Sequence, residues 1–413
     1  MEAEEIAEKI QKVGGKLYRV GGALRDKLLG LSVHDEDFCV TEISTAQFEA
    51  IFPQAILRGK SFAVYDLEGK EIAFARREKK TGQGHKEFGI ETSPNISIEE
   101  DLARRDITIN AMAEEVLTKE WIDPFGGKKD LQDKKIRAVS KAFREDPLRV
   151  YRVARFAAML EFTVEEETLQ LMKSLKQELC TLSAERVFHE LEKALKTNKP
   201  SLFFRVLQEA NVLDIHFKEI YDLIGSLQPK EYHPEGDSFE HTMQVIDKST
   251  LLTNDLKVRF SCLVHDLGKG VTPKEMQPHH YGHDEKGVPL VENLGKRLKI
   301  PKEWIKCGKV AAKEHMKGGI FLKMTPAKQV DFMTRVAKSP LGLEGMKIVV
   351  MCDKARDTMP FPTDIVFDTL GKEMLQTITG KTVQEKYGEK EGKKVAELLR
   401  TERIIWLKQK AKQ

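Results

Sequence analysis

Long hydrophobic runs are missing from this chain. No apolar stretch in its 413 residues approaches the ~18 needed to span a membrane. The segment Met1 to Lys16 is charged and helical in pattern and lacks the apolar core of a signal peptide. A cytoplasmic protein with no membrane partner is therefore expected. Cysteine is scarce: Cys39, Cys180, Cys262, Cys307 and Cys352 are scattered, odd in number and without C-x-x-C spacing. That excludes a disulfide framework or a zinc knuckle and predicts reduced thiols. Internal repeats and low-complexity tracts are absent as well. So is an excess of one charge, since 68 Lys and Arg face 65 Asp and Glu and leave a net +3. Any nucleic acid must be held by local basic patches rather than by a global field. What is present is a globular balance, 32% charged and 40% hydrophobic. The chain is too long for one core, so two to four domains are expected.

The most informative stretch lies near the start. Leu17-Tyr18-Arg19-Val20 reads as a strand, Gly21-Gly22 as a turn that lets backbone approach a ligand closely, and Ala23 to Leu29 as a helix stopped by Gly30. A strand, a Gly-Gly turn and a helix start gather backbone N–H groups and a positive dipole end, which makes an anion site at Gly22 and Arg25. Asp35 and Asp37 follow, two apart in a segment that turns apolar. On a strand both carboxylates face one side while Glu36 points away. A triphosphate cradle beside paired carboxylates points to Mg²⁺-dependent nucleotide chemistry, with Asp35 and Asp37 as metal ligands. A third carboxylate is not identifiable in the sequence.

Further motifs follow in order. Glu100-Asp101-Leu102-Ala103-Arg104-Arg105-Asp106 runs into an apolar, strand-like segment through Ala113. Then come Asp123-Pro124-Phe125-Gly126-Gly127, Glu145-Asp146-Pro147-Leu148-Arg149 with Arg152 and Arg155, and Glu185-Arg186 with Glu190. In this order the set resembles the five motifs of class II tRNA nucleotidyltransferases, the CCA-adding enzymes of the polymerase-β-like superfamily, over about residues 15 to 195. With the HD-type segment that continues to about residue 355, the chain resembles the bacterial multifunctional CCA-adding enzymes that carry an HD phosphohydrolase domain. The resemblance implies tRNA as partner and CTP and ATP as substrates. It implies that Arg105-Asp106 reads the sugar, with Asp106 accepting from a ribose 2′-hydroxyl and Arg105 touching phosphate or base.

Asp146 and Arg149 are three apart, hence neighbours if both are helical. A carboxylate accepts from an exocyclic amine and a guanidinium donates to a ring nitrogen or carbonyl. Cytosine and adenine present that order and uracil and guanine the opposite, so one pair can select C and A without a template. Arg152 and Arg155 continue the spacing. The drift of the stripe on an α-helix lets Asp146, Arg149 and Arg152 share a site and sends Arg155 nearly opposite; the resemblance implies a nucleotide or RNA contact for it.

The second candidate site is His241, His265-Asp266 and Asp353. Mixed imidazole and carboxylate donors suit Mn²⁺, Ni²⁺, Fe²⁺ or Mg²⁺ more than structural zinc. His283 and His315 add a second shell or a second metal. His34, His189, His216, His233 and His279 read as solvated or core-satisfied. The ordered H…HD…D set resembles an intact HD phosphohydrolase, and RNA ends carrying phosphate or cyclic phosphate are its expected substrates.

The fold expected is an α/β head with a mixed sheet, followed by a mostly helical neck, HD domain and tail. Strands are predicted at Leu17–Val20, Asp37–Val40, Ala63–Tyr65, Glu71–Ala75 and Ala111–Glu115, and a mobile basic loop over Lys79–Lys86. From Asp146 on, Val150, Val153, Ala154, Ala157 and Leu160 recur at helical spacing. Gln228 to Asp237, with Pro234 and Gly236, reads as a boundary. The division expected is head 1–138, neck 139–225, HD domain 226–355 and tail 356–413, as a monomer or homodimer. The basic tail helix reads as a solvated face. Two other readings stay open: an A-adding enzyme or poly(A) polymerase of the same family, and an HD phosphohydrolase whose head only binds RNA.

Overall fold

The computed structural model describes residues 1–33, 36–58, 64–80, 88–229, 231, 235–354 and 361–411, with backbone alone for 78–80 and 88–91. They form two compact units, Met1–Ser183 with Glu209–Val212, and Ala184–Gln208 with Leu213–Gln413.

The first unit begins with α1 (Ala3–Gln11), β1 (Lys16–Val20), α2 (Gly22–Leu28), β2 (Asp37–Thr41) and α3 (Thr45–Ile51). After them come β3 (Ile56–Arg58), β4 (Val64–Leu67) and β5 (Lys70–Phe74), the hairpin β6 (Arg76–Lys80) and β7 (Phe88–Thr92), and α4 (Ile98–Ala103). β8 (Ala113–Glu115) and β9 (Trp121–Ile122) complete a seven-stranded sheet of order β3-β4-β5-β2-β1-β8-β9. It is mixed, because β2 and β5 run parallel while the other pairs are antiparallel. Strand alternation sends Leu17, Phe38, Val40, Ile72 and Phe74 to one face, where they pack with Ile6 and Ile10 of α1 and Phe48 of α3. Tyr18, Val20, Cys39 and Ala113 point to the other face, against Ile98 and Leu102 of α4. The second face carries Asp37, by the same alternation. Glu36 points the other way, 3.0 Å from the Nε of Arg19, as its place in the sequence predicts.

Over the described residues the five predicted strands are present within a residue or two; Ala63, predicted to open the third, lies outside them. β3 and the hairpin β6–β7 were not predicted. β3 exposes all three residues, and β6 is wholly charged, so neither shows the alternation of a half-buried strand. Lys79 and Lys80, expected in a loop, belong to β6; Thr81–Lys86 lie outside the described residues. The segment after Asp106 is a correction. Thr108–Asn110 is a 3-10 turn rather than strand. Its residues are fully buried, and a short apolar run does not distinguish turn from strand by periodicity. α5 (Gly127–Gln132), β10 (Lys135–Ile136), α6 (Arg149–Leu160), β11 (Thr163–Val164) and α7 (Glu166–Ser174) close the unit.

The second unit is helical. α8 (Ala184–Leu195), α9 (Ser201–Glu209), α10 (Leu213–His216) and α11 (Lys218–Tyr221) lead to α12 (Ser238–Ser249) and α13 (Leu256–Val264). α14 (His283–Arg297), α15 (Lys302–Gly319), α16 (Pro326–Ala337) and α17 (Gly342–Lys354) follow, then α18 (Phe367–Thr377), α19 (Gly380–Tyr387) and α20 (Gly392–Lys410). Asp237 caps α12, its carboxylate accepting from the amides of Phe239 and Glu240 at 2.8 and 3.2 Å. The basic tail helix is engaged rather than open: Arg400 pairs with Asp331, Lys410 with Glu373, and the buried Arg403 donates to the carbonyl of Ile378.

Two candidate active sites

In the first unit the Gly-Gly turn is where strand meets helix. Gly21 has φ +76° and ψ −141°, a conformation open to glycine and costly for any other residue. A Cβ there would stand 3.2 Å from Nη1 of Arg105 and 3.7 Å from Oδ2 of Asp37; one on Gly22 would stand 3.3 Å from Nη2 of Arg25. Residues more than eighty apart in sequence thus meet at the turn. Asp37 is exposed, and its register partner on the parallel neighbour β5 is Glu71, on the same face. Asp35 lies outside the described residues.

Behind the turn runs a line of charge. Buried Arg25 donates through Nη1 to Oδ1 of Asn110 at 2.7 Å, and Asn110 donates to Oδ1 of Asp106 at 3.3 Å. Asp106 also accepts from its neighbour's amide, Ile107 N, at 2.9 Å and from Nε of Arg152 at 2.8 Å. Burial works against the charge on Asp106, but Arg152 and the Asn110 amide outweigh it and hold its pKa down at about 2. Arg105 donates to buried Asp101 at 3.1 Å and to the carbonyl of Asn110 at 3.3 Å. Burial opposes the charge of Asp101 as well, and Arg105 and Arg104 hold its carboxyl below the usual range. Phe156 gathers three of these cations: the guanidinium carbons of Arg155, Arg25 and Arg152 lie 4.0, 5.2 and 5.6 Å from its ring centre. Arg155, expected to diverge from the stripe, therefore shares an aromatic ring with Arg152.

The placement of Asp146 and Arg149 on one helix is a second correction. Asp146 is extended, with φ −123° and ψ 106°, and precedes α6 instead of lying in it. Its carboxylate accepts from Leu148 N at 3.0 Å and its carbonyl from Arg149 N at 3.0 Å, so it shapes the turn into the helix. Pro147 drives the difference, because the residue before a proline avoids the α region. Arg149 is buried and donates to the carbonyls of Ala142 and Arg104 at 2.7 and 2.6 Å.

In the second unit the predicted residues converge. His241, His265, Asp266 and Asp353 present donor atoms that all lie within 4.8 Å of one another, and Asp266, His283 and His315 do the same. His241 Nε2 is 3.0 Å from Asp353 Oδ1, and His265 Nε2 is 3.2 Å from Asp266 Oδ2. The other oxygen of Asp266 is 3.3 Å from Nε2 of both His283 and His315. His265 is the last residue of the α13 turn and Asp266 the first beyond it, which lets adjacent side chains reach one centre. Each Nδ1 is anchored: His265 on Cys262 O at 2.7 Å, His283 on His280 O at 2.7 Å, His315 on Ala311 O at 3.0 Å, and His241 on the carboxylate of Glu235 at 2.7 Å. Four Nε2 atoms are thereby aimed inward. Both oxygens of Asp266 and Nε2 of His265 are buried and make no well-formed hydrogen bond among the described residues, although Lys269 Nζ stands 2.6 Å from Asp266 Oδ2. Buried acceptors left in that state, ringed by imidazole, fit divalent cations.

The residues not anticipated are Asn110, Phe156 and Glu71 in the first unit, and Glu235 and Lys269 in the second. Asn110 and Lys269 carry a signal, standing four after Asp106 and three after Asp266; Glu71 and Phe156 carry none without the fold. His216 is core-satisfied as expected, with burial and nearby Arg297 lowering its pKa to about 4. His34 and His233 lie outside the described residues.

Residues 17–137 match the poly A polymerase head domain, 161–223 the family described as the probable RNA and SrmB-binding site of polymerase A, and 238–338 the HD domain. The multifunctional CCA protein of Shewanella denitrificans is 44% identical over 307 residues, 73% of this chain and 74% of that one. That of Mannheimia succiniciproducens is 40% identical over 348 residues, 81% of this chain and 83% of its own. In fold, the chain is similar to a CCA-adding enzyme solved with ATP, with a TM-score of 0.65 at 20% identity, covering 98% of this chain and 90% of that one. It is also similar to the Thermotoga maritima CCA-adding enzyme complexed with tRNA, with a TM-score of 0.64 at 18% identity, covering 98% and 91%. With a mixed-sheet head, a histidine–aspartate centre in a helical second unit, and relatives this similar over most of its length, the chain belongs to the multifunctional CCA proteins, bacterial class II tRNA nucleotidyltransferases with an HD domain.

Proposed function

We propose that the first unit adds C and A from CTP and ATP to the 3′ end of tRNA without a template, releasing pyrophosphate and rebuilding the terminal CCA. The observation that carries this is the meeting of Gly21, Asp37 and Arg105 at one turn, backed by the line Arg25–Asn110–Asp106–Arg152. The bare turn admits a triphosphate, and Arg25 and Arg105 bind its oxygens. Asp106, kept ionised by Arg152, accepts from the ribose hydroxyl. Asp146 and Arg149 read the base edge; a guanidinium has five donors, so Arg149 can serve backbone and base together. Arg155 backs the site through Phe156. Asp35 and Asp37, with Glu71 beside Asp37, would hold Mg²⁺, which when bound supplies activation of the attacking hydroxyl and charge stabilisation on the leaving group.

The second unit, in this reading, hydrolyses phosphate or cyclic phosphate esters at RNA 3′ ends. His241, His265, Asp266 and Asp353 would hold Ni²⁺, Mn²⁺ or Mg²⁺, and Asp266 with His283 and His315 a second ion; a bound cation supplies an activated water. Head 1–138, neck 139–225, HD domain 226–355 and tail 356–413 are the functional division that goes with it.

The test is addition to a tRNA lacking its 3′ end, with labelled CTP and ATP singly and together, resolved to the nucleotide. Asp37→Ala is expected to abolish both additions, because both use one site. Near-normal addition of either by this variant refutes the shared site. Addition of A alone by the wild type identifies an A-adding enzyme or poly(A) polymerase instead. Hydrolysis without any addition identifies an HD phosphohydrolase with an RNA-binding head.

A further inference from the structure

The rim of the histidine–aspartate centre carries side chains that hydrolysis itself does not use. Tyr281 is 71% exposed, and its ring lies 5.8 Å from that of His279 with an interplanar angle of 23°, a stacked pair. Leu227 and Met276, whose backbone carbonyls are bonded to His280 and His279, are exposed as well. Apolar and aromatic surface left in water beside a buried charged centre is a recognition feature rather than a packing one.

The segment is fixed in place. Rigidity matters because a platform that must first be ordered loses affinity to that cost. The two ring nitrogens of His280 are bonded to Thr272 Oγ1 at 2.9 Å and to Leu227 O at 2.8 Å. Leu227 N donates to Gln277 at 3.0 Å, and His279 N to Met276 O at 3.0 Å. The carbonyl of His280 accepts from Nδ1 of His283, whose Nε2 faces Asp266. Tyr281 and His283 are two residues apart, so their Cα atoms lie within ~7 Å of each other. That is within the reach of a single nucleotide from its phosphate to its base.

We propose that Tyr281, backed by His279, stacks the terminal nucleobase of an RNA whose 3′ phosphate lies at the histidine–aspartate centre. The proposal rests on the reading of that centre as a phosphohydrolase for RNA ends. Stacking accepts every base, because every base has a π face. A centre that clears damaged ends of differing sequence needs that tolerance.

The test uses the full chain with Mn²⁺ or Ni²⁺ and two substrates, cytidine 2′,3′-cyclic phosphate and base-free ribose 2,3-cyclic phosphate. The wild type is expected to show a KM about tenfold or more lower for the nucleotide, the worth of one base on one aromatic ring. Tyr281→Ala should bring the two KM values together with kcat for the nucleotide retained, and Tyr281→Phe should restore the gap. An unchanged gap in Tyr281→Ala overturns the platform. If the wild type hydrolyses neither substrate, the phosphohydrolase reading fails, and equilibrium dialysis decides the platform by itself. Cytidine 3′-monophosphate should then bind more tightly than ribose 3-phosphate, and Tyr281→Ala should remove the difference. Equal binding by wild type and variant overturns it. Circular dichroism and the thermal unfolding midpoint of the same preparations report that each variant is folded.

Discussion

Among the four histidines that face the centre of the second unit, His241 is held differently. His265, His283 and His315 anchor Nδ1 on backbone carbonyls, which no substitution removes. His241 uses the side chain of Glu235, 2.7 Å away. A carboxylate there fixes the tautomer and makes the opposite nitrogen a better donor to a cation. Glu235→Gln keeps the size and loses the charge. Its expected effect is ~10- to 100-fold weaker binding of Mn²⁺ or Ni²⁺ by calorimetry, with CCA addition unchanged. Equal metal affinity in both proteins would make Glu235 a wall and nothing more. The residue was hidden in the sequence by its surroundings. Pro234 and Gly236 read as a boundary, and turn signals do not say whether a turn leads away from a site or folds back onto it. The candidate ligands themselves were legible, because their identity and order carry the chemistry. Their partners were not: Asp106 depends on Arg152, forty-six residues on, and Asp146 was assigned to a helix that Pro147 delays until Arg149.

At the scale of elements, the same centre depends on one close approach. The 3-10 turn Leu267–Val271 lies directly on the first turn of α14. A Cβ on Gly268 would stand 1.9 Å from the carbonyl oxygen of His283 and 2.8 Å from Gly287 N, both backbone atoms that cannot swing aside. Gly268→Ala must push the turn and α14 apart. Overpacking of this kind costs ~1–3 kcal/mol, and it moves His283 relative to Asp266, so both the unfolding midpoint and metal affinity should fall. Gly287→Ala is the internal comparison. Its nearest contacts would be 3.3 Å to Gly268 N and 3.4 Å to the Ala312 methyl, so a much smaller loss is expected. Equal losses from the two would show that the Gly268 contact is relieved by a shift the packing permits. Neither constraint could be read beforehand, since a glycine in His-Asp-Leu-Gly-Lys carries no mark of what lies across from it. Strands β1, β2 and β5 were legible as short apolar runs, β1 and β2 with buried residues on both faces. The exposed β3 and the charged β6 had no alternation to read.

For the whole molecule, the residues proposed for the two reactions fall in different compact units: Asp37 belongs to the first, and His241, Asp266 and Asp353 to the second. No proposed residue serves both sites. A tRNA end blocked by a cyclic phosphate has no free 3′-hydroxyl and cannot be extended until one hydrolysis opens the ring and a second releases the resulting monoester as inorganic phosphate. The two activities would therefore act in a fixed order, hydrolysis first. Asp37→Ala should clear a blocked end and stop, leaving a hydroxyl-ended product of unchanged length. Asp266→Asn should fail on the blocked end yet add C and A to an open one at the wild-type rate. The informative experiment mixes the two variants. If the cleared tRNA leaves one protein and is taken up by the other, the mixture regains full repair, at a rate that rises with the concentration of Asp37→Ala until addition limits. If the cleared end passes to the head of the same chain without release, the mixture stays well below the wild type at equal site concentration, and dilution widens the gap. Independent sites in separate units predict the first result. Loss of CCA addition to open ends in Asp266→Asn would refute that independence, because it would show that the second unit supplies something the first cannot work without.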